Sequence, residues 1–392
     1  MGLDVKAVKA IIENIDKKIP LGDFAAKLRE LNLPSSNAWA KTKELLVDLL
    51  DGKLSPAQEA SFNNLCGWVE DFVLHSPKAI YIFKLSKNFH CTVDDAEKHF
   101  VKNLTKLARS DYPHQFPAML AKDELAVFSN AFCLRKIESG SVDDKVVVGS
   151  GDGDGDNRTV TIKNDKVDVV FSYVKEYQVR DEIHMTPSEV KAVDRLSGYY
   201  KIIGVKTALH EHVDVVRFNK GADSIELHLD ISRPGNAPCT QLEIANRAKA
   251  YIDFVNACIA SKVTNFVLPS PLNLFGCIKK IYDSLEGSVC ELGFSLTVSG
   301  SVKTEKMKRT TSDLRSEPWH AAGMGAVNKS DVDMYRLSVC WQIVGSNDQP
   351  ILSIPGNYKS LSTAEVEYAI ISGCKERKSF DFAFSRLANY AV

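Results

Sequence analysis

The chain has 392 residues, 49 Lys plus Arg against 50 Asp plus Glu, a formal net charge of −1 and 44% hydrophobic residues. These proportions exclude a collagen-like, fibrous or wholly disordered chain. They also exclude a protein that coats nucleic acid through uniform positive charge.

The first 135 or so residues read as helical. Val5, Val8, Ile11, Ile12 and Ile15 recur at helical spacing. A second helix is expected over Leu21 to Leu31, ended by Pro34, and a third over Trp39 to Leu50. The fourth has a start signal, with Ser55 as N-cap, Pro56 at the first helical position and Gln58 three residues after the cap. Its apolar stripe is Phe62, Leu65, Trp68, Val69, Phe72 and Val73. Residues 78–85 break the helical period and read as a strand. Helices resume after Thr92.

Residues 138–157 are the compositional break, with a Gly/Asp tract from Gly149 to Asp156. Ordered glycines cost entropy and the carboxylates repel one another. The expected division is a helical domain over 1–137, a linker or loop over 138–157 and an α+β domain over 158–392. A weaker option keeps Val146 to Val148 as a strand and makes the tract a hairpin loop.

Beyond Arg158, strands are expected at 159–163, 167–177, 202–218, 224–232, 289–303, 334–344 and 350–354. Helices are expected to open at Thr186, at Thr240 with Glu243, and at Ser362 with Glu365. The helix after Thr240 should bury Leu242, Ala245, Ala248, Ile252, Val255 and Ile259. Hairpins without steady βαβ alternation predict an α+β fold with a mainly antiparallel sheet.

Residues 208–232 read as a hairpin turning at Gly221. Alternation points Val213, Val215, Ile225, Leu227, Leu229 and Ile231 one way. It points His210, His212, Asp214, Glu226, His228 and Asp230 the other. With the turn centred on Gly221, His212 faces Asp230 and Asp214 faces His228. Imidazoles and carboxylates on one strand face are the donor set of Zn²⁺ or Mn²⁺. His210, His212, His228 and Asp230 are therefore the candidate ligands of a divalent metal in a hydrolase or nuclease. The opposing expectation is a solvated strand face, which a one-residue slip would disperse.

After residue 293, alternating apolar and hydroxyl residues lead into Lys303, Lys306, Lys308, Arg309 and Arg315. Phosphate contacts call for such cations, and Trp319 and His320 can stack on a base. Glu305, Asp313 and Glu317 reduce the local charge over 303–317 to five basic against three acidic residues.

Several motifs fail on inspection. Arg109–His114 and Arg315–His320 have the Arg-x4-His spacing of helical ribonucleases, but Pro113 and Pro318 interrupt a helix. Asp152, Asp154 and Asp156 start like a calcium loop, yet Asn157 and Lys163 stand where glycine and glutamate are required. Cys239 precedes a helix N-terminus, a position that can activate a thiol.

The nine cysteines never form a Cys-x-x-Cys pair, which fits reduced thiols in the cytoplasm. No run of about 18 apolar residues predicts a membrane span. The leading expectation is a cytoplasmic nucleic-acid-binding or interaction protein, of a kind found as a subunit of bacterial defence or mobile-element complexes. The alternatives are the metal-dependent hydrolase and an oligomeric scaffold with no nucleic-acid contact. The residues leave open whether the protein is an enzyme.

Overall fold

The computed structural model describes residues 3–75, 77–85, 91–107, 133–138, 144–148, 158–162, 165–183, 202–233, 239–260, 263–344 and 348–391. Four helices open the chain: α1 (Val5–Asn14), α2 (Leu21–Glu30), α3 (Trp39–Asp51) and α4 (Pro56–Leu74). The expected capping box starts α4. Ser55 Oγ accepts from the Gln58 amide at 3.3 Å, and Gln58 Oε1 accepts from the Ser55 amide at 2.8 Å. All six expected stripe residues of α4 are buried.

Strand β1 (Lys78–Lys84) and helix α5 (Val93–Leu107) follow, then β2 (Cys133–Glu138), β3 (Asp144–Val148) and β4 (Arg158–Ile162). Two long strands, β5 (Lys166–Ile183) and β6 (Ile202–Asn219), precede β7 (Ser224–Asp230). The remainder comprises α6 (Gln241–Ala260), α7 (Phe275–Asp283), β8 (Ser288–Leu296), β9 (Ser301–Lys306), α8 (Pro318–Gly325), β10 (Val332–Cys340), β11 (Ile351–Ile354), β12 (Ala369–Ser372) and α9 (Arg377–Tyr390).

Among the described residues, ten strands form one sheet in the order β2-β5-β6-β7-β1-β12-β11-β10-β8-β9. Each pairing in it is antiparallel. The chain is an α+β protein, as its pattern of elements predicts. Strand β1 lies between β7 and β12, so the sheet takes strands from both sides of the expected boundary at 138–157. Around that tract, β3 and β4 pair as a separate antiparallel ribbon, with Val148 opposite Arg158. This matches the hairpin option; residues 149–157 lie outside the described residues.

Among the described residues, three apolar clusters hold the layers together. Helices α1 to α4 pack on Val170, Val213 and Val215. Helices α5 and α6 cover the opposite face, against Val169, Phe171, Val216, Phe218, Ile225, Leu227 and Leu229. Phe100 joins them, 5.3 Å from Phe218 and 5.7 Å from Phe254 between ring centres. Helices α7 and α9 pack on β1, β8 and β10 to β12. The inner parts of β5 (166–173) and β6 (210–219), with β7, are therefore covered on both faces, whereas Lys175 and Glu176 on β5 and Val205 and Leu209 on β6 are exposed. Charged residues of those inner parts are buried, because neither face meets solvent there.

Some expectations need correction. The expected strand at 289–303 is a hairpin, since the chain turns at 297–300 with Gly300 in the left-handed region at φ +63°. The amide and hydroxyl of Thr297 both donate to the Asp331 carbonyl and hold that turn. No helix opens at Ser362. One helical turn, Ser360–Thr363, stops where Ala364 turns left-handed at φ 50°. In α6, Leu242 is 70% exposed, and the buried stripe is Ile244, Ala248, Tyr251, Phe254, Val255, Cys258 and Ile259. The Thr240–Glu243 capping box does form, at 3.3 and 3.0 Å. The expected helix at Thr186 and the Arg109–His114 motif lie outside the described residues.

Candidate nucleic-acid interface and the buried polar layer

The turn between β6 and β7 decides which side chains meet. Lys220–Ala222 form one 3₁₀ turn, and Asp223, rather than Gly221, takes the left-handed conformation at φ 47°. Asn219 Oδ1 accepts from the Ala222 amide at 3.1 Å and fixes the turn. Asn219 then pairs with Ser224, Arg217 with Glu226, and Val215 with His228. This is one residue off the expected register. A one-residue slip moves a strand's side chains to the other face. His210, His212 and Asp214 thus lie on the α6 side, while Glu226, His228 and Asp230 lie on the side of Lys78, Val213 and Val215.

On that second side lies a closed set of charges. Arg217 donates to both oxygens of Asp168, at 2.7 and 2.9 Å, and to Asp381 Oδ1 at 3.1 Å. Lys166 meets the same Asp381 oxygen at 3.0 Å. His228 Nε2 lies 3.0 Å from Glu226 Oε2, and Asn219 donates to Glu226 Oε1 at 2.9 Å. Burial alone would raise the pKa of Asp168. The guanidinium of Arg217 outweighs it and holds the carboxyl below its ordinary value. Asp230 is treated likewise by Lys78 and Lys18 and lies well below the usual range. Burial lowers the Lys78 ammonium to about 8.

The α6 side is equally committed. Arg247 donates to the Asp214 carboxylate and, at 2.7 Å, to the Asp230 main-chain carbonyl. The Tyr173 hydroxyl donates to Asp214 Oδ2 at 3.0 Å. His212 Nδ1 faces the Asp230 main-chain carbonyl at 3.3 Å, and a carbonyl only accepts. Nδ1 therefore carries the proton. Nε2 is left as acceptor for the Tyr177 hydroxyl, 2.6 Å away. Burial lowers His212 to about 3 and raises Tyr177, so this pair is a poor base beside a poor nucleophile. Burial likewise raises the Cys239 thiol, which removes the case for an activated cysteine.

The metal set is not brought together. His210 and His212 share a face, with ring centres 5.0 Å apart. His228 sits on the other face against Phe380, and the Asp230 carboxylate is engaged by Lys18, Lys78, Ser232 and the Val213 amide. Among the described residues, no group of three or more His, Cys, Asp or Glu side chains is arranged to hold a metal ion.

The basic segment lies elsewhere, at the β9 end of the sheet. There β9 pairs with β8 on one side and ends the strand order on the other. Lys303, Lys306, Lys308 and Arg309 are exposed. Lys306 approaches Glu291 at 3.8 Å. The other three form no salt bridge among the described residues. Arg315 is different. Its guanidinium is held by Asp313 at 3.0 Å, by the Tyr282 carbonyl at 3.1 Å and by the Gly287 carbonyl, so it braces the loop. His320 is also internal, between Glu305 and the Tyr282 hydroxyl at 2.9 Å. The acidic residues of the segment are engaged within the fold. Asp313 holds Arg315, Glu305 holds His320, and Glu317 caps α8 at the His320 amide, 2.7 Å away. Trp319, by contrast, is 81% exposed. It lines a small hollow with Lys303, Leu296, Met324 and Val327.

No family model and no curated protein matches this chain.

The residues that sequence reasoning missed are Lys78, Asp168, Arg217, Arg247 and Asp381. Arg217 stood in the run Val-Val-Arg-Phe and Lys78 at the head of a strand buried in all but its last residue, Lys84. An ionic residue inside an apolar run was the available signal.

Proposed function

We propose that this protein binds nucleic acid along the β9 edge. The reading rests on one observation. Lys303, Lys308 and Arg309 are exposed cations without a salt bridge among the described residues, while the carboxylates of the same segment are engaged internally. Exposed cations on an edge strand also discourage strand addition by another chain. Phosphates compensate Lys303, Lys308 and Arg309 at no cost in broken internal pairs, and Lys306 gives up only its 3.8 Å pair with Glu291. Lys303, Lys306, Lys308 and Arg309 make up the contact set; Arg315 acts one step behind it, shaping the loop.

Four phosphate contacts predict that the logarithm of affinity for a single-stranded oligonucleotide falls with the logarithm of salt at a slope of roughly −2 to −3. Lys303→Ala should weaken binding for every sequence and make that slope shallower by about 0.7. Fluorescence anisotropy over a salt series measures both. A slope near zero, or no binding at low salt, removes the reading. Helix α6 should be indifferent: Lys249→Ala, at its exposed Lys249–Asp253 pair, leaves the affinity unchanged.

A further inference from the structure

Tryptophan is highly buried on average, yet Trp319 is 81% exposed. Its position is fixed from behind. Pro318 opens α8, the Glu317 side chain caps it, and the buried His320 anchors it to Tyr282 and Glu305. The ring is thus presented on a short, well-tethered helix. The helix face beside it is bare. Ala322 and Gly323, three and four residues on, lie next to Trp319 on the helix surface. A Cβ built at Gly323 or Gly325 meets nothing within 4 Å. Lys303 and Glu305 border the same hollow, and the Glu305 carboxylate is held by His320. An exposed aromatic face on a tethered helix, open space beside it and a cation at its rim together suit the stacking of a planar group that carries a phosphate.

We infer that this platform takes an unstacked base, so that the site selects single-stranded over double-stranded nucleic acid. The inference rests on the nucleic-acid reading and adds its substrate class. In a duplex both faces of a base are occupied by neighbours, and only the backbone reaches the lysines. In a single strand one base turns onto Trp319 while its phosphates lie along Lys303, Lys306, Lys308 and Arg309. Stacking of this kind tolerates any sequence, because every base has a π-face.

The test uses the full chain and three probes: an oligothymidylate, a duplex of the same length, and inorganic polyphosphate, which has charge but no base. Quenching of the intrinsic fluorescence on binding reports on Trp319, because a bound base cannot reach the buried Trp68 and Trp341 and Trp39 is half-buried; Trp319→Ala should abolish the change. The expected result is quenching by the oligothymidylate and affinity at least 10-fold above that for the duplex. Trp319→Ala should lose roughly 10- to 100-fold for the single strand and keep the affinity for polyphosphate. Gly323→Leu adds a side chain where there is room and favours the helix, yet it covers the platform and should also abolish the preference. Equal affinity for single strand and duplex, unchanged by Trp319→Ala, overturns the inference and leaves the nucleic-acid reading standing. No binding of any of the three probes overturns both.

Discussion

Arg217→Ala should destabilise the protein by about 3–5 kcal/mol, the cost of leaving a buried carboxylate without its partner. Arg217 is 1% exposed and satisfies two carboxylates at once. Its removal strands Asp168, which has no other cation at salt-bridge distance among the described residues. Asp381 is less affected, because Lys166 at 3.0 Å and Arg377 at 3.4 Å remain. The loss should therefore be dominated by Asp168. The paired replacement Arg217→Met with Asp168→Leu should recover most of it, since burying an ion pair gains little over burying apolar groups of similar size. Denaturant midpoints of the three proteins measure this. A loss below about 1 kcal/mol for Arg217→Ala, or a double variant no better than the single, would show that the pair contributes no coupling. By the same argument Lys306→Ala, at an exposed pair with a 3.8 Å separation, should shift stability by less than about 0.5 kcal/mol.

The buried pair also shows why the sequence misled at the hairpin. The helical segment was legible because each of its signals is local: the Ser55 capping box, the α4 stripe and the stop after α2. The α+β class was legible because hairpin and helix signals alternate along the chain. The strand faces were not, for two physical reasons. The register hangs on which turn residue turns left-handed, and Asp223 took that role instead of Gly221. Alternation of polar and apolar residues normally means one wet face. Here both faces are covered, and the charged positions are satisfied by partners far away in sequence, such as Asp381 for Lys166 and Arg217. A one-dimensional pattern carries no information about a partner more than 160 residues distant. At the β9 edge the basic residues were legible individually. Their division was not, because only the fold shows that Arg315 and His320 turn inward while Trp319 stays out.

The same burial predicts a marked loss of stability in mild acid. His75 and His212 are nearly inaccessible, and burial lowers both to about 3 from an ordinary value near 6.5. A group that is harder to protonate in the folded state favours unfolding wherever the unfolded chain binds the proton. The stability from these two neutral histidines is thus complete above pH 6.5 and falls as pH drops toward 3. At pH 5 the loss is about 2 kcal/mol for each, roughly 4 kcal/mol together. His210, lowered to about 4 by burial, acts in the same direction. Asp71 acts in the opposite direction. Burial and Glu70 raise its carboxyl to about 6, so it protonates in the folded state first and offsets part of the loss between pH 6 and 4. Asp230 and Asp381 titrate below their ordinary range. Their contribution holds through this window and fails only below about pH 4. The melting temperature should therefore fall steadily from pH 7 to 5, and His212→Gln should flatten that slope at some cost in stability at pH 7. A melting temperature independent of pH over this interval would mean that the imidazoles are solvated in the native protein and that the covered sheet opens at its histidine end.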